Sequence, residues 1–246
     1  MTSFLLALQF LTVMPLRIKK ADEERISGSM VYFPLIGLFI GLFLAGICIA
    51  LYNLNLPSLS SGVLLVVILA FLTGGLHLDG LADSADAFLS RRDKEKTLEI
   101  MRDPHIGTMG VLSLISVILL KITFLSSLAI YLRIPALLLM CVLSRWSAVL
   151  GVFLFPYARI QGKARVFIDG MNLRTFMLSS IAAFIFAFFI LGFKGLFILL
   201  VIAAFVYLSG RKIKGRIGGI TGDVLGATIE LSEVITLITV FIITRS

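Results

Sequence analysis

Along the chain, long apolar runs alternate with short polar connections. The runs cover 31 to 52, 62 to 78, 107 to 131, 134 to 156, 176 to 193, 195 to 210 and 229 to 244. Each approaches the roughly 20 residues that carry a helix across a ~30 Å hydrocarbon layer, and none shows the short alternation of a membrane-barrel strand. The pattern predicts seven transmembrane helices. The opening segment, Met1 to Pro15, has an apolar run too short to span and lacks the basic flank of a signal peptide, so it predicts a short re-entrant or interfacial helix.

Composition sharpens the class. Hydrophobic residues make up 59% and charged residues 15%, against about 45–50% and about 25% in soluble domains. A water-soluble fold could not hide so much apolar surface, so the expected fold is an all-α polytopic transmembrane bundle, one membrane domain over residues 1–246 with no linker or internal repeat. Cys48 and Cys141 both lie in apolar runs, which argues against a disulfide framework or a thiolate metal site.

The net charge of +8 is explained by where it sits. Connections rich in Lys and Arg (Arg17 to Arg25, Arg91 to Arg102, Arg159 to Arg174, Arg211 to Arg216) alternate with connections carrying none, or only Arg133, Lys194 or Arg245. The positive-inside rule then puts loops 17–29, 79–105, 157–175 and 211–228 on the cytoplasmic side of a cell (inner or plasma) membrane. The bilayer is the expected partner, and nucleic acid is not, because no aromatic interleaving or nucleic-acid module accompanies the basic residues. A homo-oligomer is left open.

Candidate chemistry concentrates at these cytoplasmic span ends. In His77-Leu78-Asp79-Gly80-Leu81-Ala82-Asp83-Ser84-Ala85-Asp86, the three aspartates fall within roughly 60° of one another on a helix. Such like-charged neighbours repel, and a divalent cation reverses the sign; oxygen ligands without cysteine favour Mg²⁺ or Mn²⁺, completed by substrate phosphate. Asp223, Glu230 and Glu233 form a second acidic group on another span end. Ahead of it Gly219, Thr221 and Gly222 could let backbone amides approach phosphate. Arg102 is a phosphate candidate and Asp103 a metal candidate. Arg145, inside a span, needs an anionic partner. Lys121 reads as a snorkelling side chain. His77 reads as a boundary residue, or else as a proton carrier or substrate contact.

HLDGLADSAD from His77, MRDPHIGTMG from Met101, SRW from Ser144 and GGITGDVLGATIELSE from Gly218 together resemble the cobalamin synthase (adenosylcobinamide-GDP ribazoletransferase) family. FLLALQFLTVMPL from Phe4 and YFPLIGLFIG from Tyr32 extend the resemblance from end to end. It implies a Mg²⁺-dependent transferase. The 3′-hydroxyl of α-ribazole, or of α-ribazole 5′-phosphate, attacks the phosphate on cobinamide in adenosylcobinamide-GDP and releases GMP. It also implies site roles for Asp79, Asp83, Asp86, Arg102, Asp103, Asp223, Glu230 and Glu233. Sharing a depth in the membrane and repelling one another unless joined around Mg²⁺, the two acidic groups are expected to meet at one site.

Two rival readings stand beside it. A CDP-alcohol phosphotransferase also sets membrane carboxylates and Mg²⁺ against a pyrophosphate, but it has Arg where Asp83 follows Ala82. A cation-coupled secondary transporter would hold its acids near the membrane midplane, whereas the sequence places them at span ends, without an inverted repeat.

Overall fold

The computed structural model describes residues 2–15, 22–159, 162 and 164–244. Arg17, Lys19, Lys20, Lys163 and Arg245, part of the charge pattern above, lie outside the described residues. The chain forms α1 (Thr2–Leu11), α2 (Glu23–Gly28), a 3-10 turn (Ser29–Tyr32) leading into α3 (Phe33–Asn53), α4 (Ser58–Leu72), α5 (Leu76–Leu89), α6 (Lys94–Ile100), α7 (Thr108–Ser127), α8 (Ile130–Leu154), α9 (Arg165–Asp169), α10 (Leu173–Ile217) and α11 (Gly222–Thr244). Among the described residues the only β-type pairing is an isolated parallel bridge between Tyr157 and Ile220. Five helices are long and apolar enough to cross a bilayer, and the bent pair α4 and α5 is a sixth candidate. The protein is a multi-pass membrane bundle, with large side chains such as Phe71, Phe189 and Phe193 turned outward.

The longest helix is two spans. Forty-five residues of straight helix would run about 68 Å, twice the hydrocarbon thickness. Instead Leu191 and Gly192 leave helical geometry, Gly192 at φ 58°, and a Cβ placed on Gly195 would strike the carbonyl oxygen of Ala187. Residues eight apart meet only if the chain folds back. Both ends of α10 accordingly reach the same end of α8: the Phe176 ring stacks on Phe153 at 4.0 Å, and Gly210 lies against Phe155. The limbs 173–190 and 193–217 correspond to the expected spans 176 to 193 and 195 to 210.

The second expected span, 62 to 78, needs correction. The chain turns by 91° between α4 and α5, at Thr73–Gly75, where Gly74 and Gly75 take φ of 63° and 68°. Left-handed conformations cost a side chain but not glycine, so this pair supplies the corner. His77 therefore belongs to the carboxylate helix α5 and not to the end of a span. The last helix also starts earlier than expected, at Gly222, which puts Asp223 in its first turn.

α8 is the hub, buried almost continuously from Ala136 to Val152. The connections 73–107, 155–159, 164–172 and 217–222 gather at one end of the bundle, here termed the loop face. α1 is pinned there, its trailing residue Val13 donating its amide to Leu72 at 2.9 Å.

The reversal in α10 has a direct consequence for topology. With single cysteines at Arg174, Lys212 and Lys194, a membrane-impermeant thiol reagent should label the first two from one side and Lys194 only from the other. Labelling of Arg174 and Lys212 from opposite sides would mean a straight α10.

Candidate active site

α5 lies across the first turns of α7 and α11. The approach to α11 is close: a Cβ on Gly80 would come within 2.7 Å of the Asp223 carbonyl oxygen, and one on Gly226 within 3.2 Å of the His77 carbonyl oxygen. This contact brings Asp223, from the second acidic group, beside the first. Asp83, half-buried, feels the carboxylates of Asp79, Asp223 and Asp86. Asp79 is exposed. Among the described residues neither Asp79 nor Asp83 has an ion-pair partner.

Asp86 departs from the expected ligand role. The amides of Gly107 and Gly110 donate to its Oδ2 and Oδ1 at 2.7 and 2.8 Å, so the carboxylate caps the N-terminus of α7, where negative charge is favoured. A Cβ at either glycine would collide with it, which explains the Gly-x-x-Gly spacing of IGTMG.

The loop after α8 supplies groups that the sequence did not single out. Ile220 donates its amide to the Pro156 carbonyl at 2.8 Å, and Ala158 its amide to the Ile220 carbonyl at 2.9 Å. This clamp sets Arg159 against Asp223, Nη2 to Oδ2 at 2.6 Å, and burial pushes the Tyr157 hydroxyl up from its ordinary pKa. Gly219 is consumed by the clamp, since a Cβ would strike the Pro156 carbonyl. The Thr221 hydroxyl accepts the Val224 amide at 3.2 Å, starting α11 as an N-cap. Of the three expected phosphate contacts, Gly219 and Thr221 are therefore structural, and only Gly222 borders the cavity described below. Arg102 and Asp103 are exposed. The Asp103 carboxylate accepts from the amide of His105 and pairs with its ring at 2.9 and 2.8 Å, the amide bond first among the effects holding its pKa below the usual range. The structure does not bring Asp103 into the carboxylate layer.

Glu230 and Glu233 need the largest correction. Rising 1.5 Å per residue, they lie about 12 and about 16 Å below the start of α11, deep in the bundle and not at its boundary. Lys121 of α7 donates to Glu230 at 2.5 Å and to Glu233; Arg145 of α8 donates to the other oxygen of Glu233 and to the Ser144 hydroxyl at 2.9 Å. All four charged side chains are at most 5% exposed. The two glutamates are thus paired with two cations deep in the bundle, away from the Asp79 and Asp83 carboxylates; Arg145 meets an anionic partner in Glu233, and Lys121 does not snorkel.

Beside the carboxylates lies a cavity of about 440 Å³, bordered by the polar groups of Asp79, Asp223, Tyr157 and Arg159 and by the apolar Phe10, Met30, Phe33, Phe167 and Ile229. His77 also borders it, 3% exposed, and among the described residues neither ring nitrogen has a hydrogen-bond partner. Among the described residues, no group of three or more His, Cys, Asp or Glu side chains is arranged to hold a metal ion. Asp79 and Asp83, uncompensated and near the mouth, fit Mg²⁺ in its usual mode of one or two carboxylates plus substrate phosphate.

The family model described as cobalamin-5-phosphate synthase matches residues 3–241. Proteins named adenosylcobinamide-GDP ribazoletransferase are similar over nearly the whole chain. The one from Desulforamulus reducens is 36% identical over 94% of this chain and 93% of its own. Those from Roseiflexus sp. and Citrobacter koseri are each 40% identical, over 95% and 88% of this chain and 87% and 89% of theirs. No solved structure matches the chain.

The buried ion set predicts an asymmetry in stability. Lys121→Met alone strands Glu230 in the bundle and should cost about 3–5 kcal/mol, whereas adding Glu230→Leu should restore much of it by leaving the Arg145–Glu233 pair balanced. Thermal unfolding in detergent measures both; equal losses in the single and double variants would show that charge balance is not what the set provides.

Proposed function

This chain belongs to the cobalamin-5-phosphate synthase family, and we propose that it joins adenosylcobinamide-GDP to α-ribazole, or to α-ribazole 5′-phosphate, with release of GMP. The observation that carries this reading is the meeting of α5 and α11 at the cavity, where Asp79 and Asp223 border the space, Asp83 feels the charge of both, and Arg159 pairs with Asp223. The reaction forms a bond between the ribazole 3′-hydroxyl oxygen and the cobinamide phosphorus and breaks the bond to the bridging oxygen of the pyrophosphate. The hydroxyl proton passes to a base, and GMP carries away the bridging oxygen.

Each part of that chemistry has a matching group. Asp79 and Asp83 would hold Mg²⁺, which when bound would offset charge building on the phosphoryl and leaving oxygens, with Asp223 held beside them by Arg159. Arg159 fixes the Asp223 carboxylate with one nitrogen, while its buried Nε has no partner among the described residues and can meet a phosphate oxygen. A carboxylate of the same layer accepts the hydroxyl proton. The layer lies on the loop face, and the basic residues of its connections support a cytoplasmic orientation, the side on which nucleotide substrates are found.

Purified protein in detergent, given adenosylcobinamide-GDP, α-ribazole and Mg²⁺, should yield adenosylcobalamin and GMP, and excess EDTA should abolish turnover. Asp79→Ala and Asp83→Ala should each lower turnover at least about a hundredfold, because several kcal/mol of transition-state stabilisation go with the metal. Full activity in EDTA would remove the metal role; GMP formed without a corrinoid product would point to hydrolysis instead of transfer.

A further inference from the structure

The proposed reaction assigns the cavity mouth to phosphate chemistry but leaves its apolar side without a purpose. Three rings from three separate elements meet there: Phe10 of α1 lies 4.7 Å from Phe167 of α9 and 5.9 Å from Phe33 of α3, and Phe33 lies 6.2 Å from Phe167. Phe33, His77 and Phe167 are 2%, 3% and 8% exposed, whereas Asp79 is exposed and the Asp223 side chain 24% exposed; Phe10, 38% exposed, packs on the two buried rings from the outer edge. An imidazole buried with both nitrogens unpartnered is costly, and here it borders the space in which a ligand could relieve it.

We infer that the inner half of this cavity is the subsite for the planar base of the acceptor nucleoside, the rings of Phe10, Phe33 and Phe167 lying against it and His77 pairing with its free ring nitrogen. The inference rests on the reaction proposed above and adds where its acceptor binds. The base of α-ribazole is a benzimidazole. Glycosylated at one nitrogen, it presents two apolar faces and a single acceptor nitrogen, which one imidazole N–H satisfies. Guanine carries several donors and acceptors along its edges, most of which an aromatic wall would leave unpaired. With the base on the aromatic floor, the attached ribose points back toward Asp79 and Asp223, where its hydroxyl has to attack. The nucleoside thus takes the inner half, and the pyrophosphate of the second substrate stays at the open mouth.

The test is equilibrium binding of α-ribazole and, separately, GMP to the purified protein in detergent without metal or corrinoid, followed by titration calorimetry. Phe10→Ala and His77→Leu should each weaken α-ribazole binding about tenfold or more, the range expected for loss of a stacking partner or a buried hydrogen bond. His77→Gln, which keeps a donor and an acceptor, should recover most of that loss, and GMP affinity should stay within about twofold. Phe10→Leu and a thermal-unfolding check separate a lost contact from a lost fold. No α-ribazole binding by the unaltered protein, unchanged binding in the variants, or a loss confined to GMP would overturn the subsite. Binding that depends on these residues in a protein that forms no product would sink the transferase reading and leave the subsite standing.

Discussion

The structure depends on a balanced set of charges held where charges are least welcome. Lys121, Arg145, Glu230 and Glu233 come from α7, α8 and α11 and meet deep in the bundle. Moving any one of them out of water costs several kcal/mol, so each is tolerable only while its partners stay in reach. That requirement locks three helices in register more strictly than apolar packing does, since apolar side chains can slide past lipid-like neighbours at little cost. Glu233 shows the constraint most plainly: one carboxylate oxygen faces Lys121 and the other Arg145, so α11 can neither rotate nor shift without breaking a pair.

A fixed α11 in turn fixes what sits above it. Its first turn holds Asp223 at the loop face, and its Gly226 leaves room for α5 to lie across it. α5 could not take that position as the continuation of α4; the corner at Gly74 and Gly75 frees it to turn by 91°. Asp86 then ties the far end of α5 to the start of α7 through two backbone amides. One short helix thereby spans from α11 to α7, with two of its three aspartates left to face solvent and ligand.

The sequence made the spans legible because apolar length is a strong signal, and even the reversal in α10 appeared as two adjacent runs. It did not make the corner before α5 legible. A glycine pair inside an apolar run is common in membrane helices, where it often leaves the helix unbroken. The aspartate stripe was legible as a stripe, but the division of labour within it was not: Asp79, Asp83 and Asp86 share one spacing rule, and only the fold shows that Gly107 and Gly110 take the last. Glu230 and Glu233 misled for a related reason. Spacing gives the face of a helix but not its depth, and their partners Lys121 and Arg145 lie 109 and 88 residues away. The aromatic floor of the cavity had no signal at all, since three phenylalanines among 20 carry none until α1, α3 and α9 bring them together.

Depth, more than residue type, decides what each charge does. In the bundle two cations cancel two glutamates. At the rim Arg159 cancels Asp223, and Asp86 is met by the amides that open α7. Asp79 and Asp83 remain, carrying two negative charges with no cationic partner among the described residues. Two such carboxylates would repel the pyrophosphate of the proposed substrate. A single divalent ion would remove that repulsion by offsetting their charge. The proposed Mg²⁺ therefore answers a charge imbalance confined to the cavity mouth, and the neutral layer beneath it keeps that imbalance from being satisfied from within the protein.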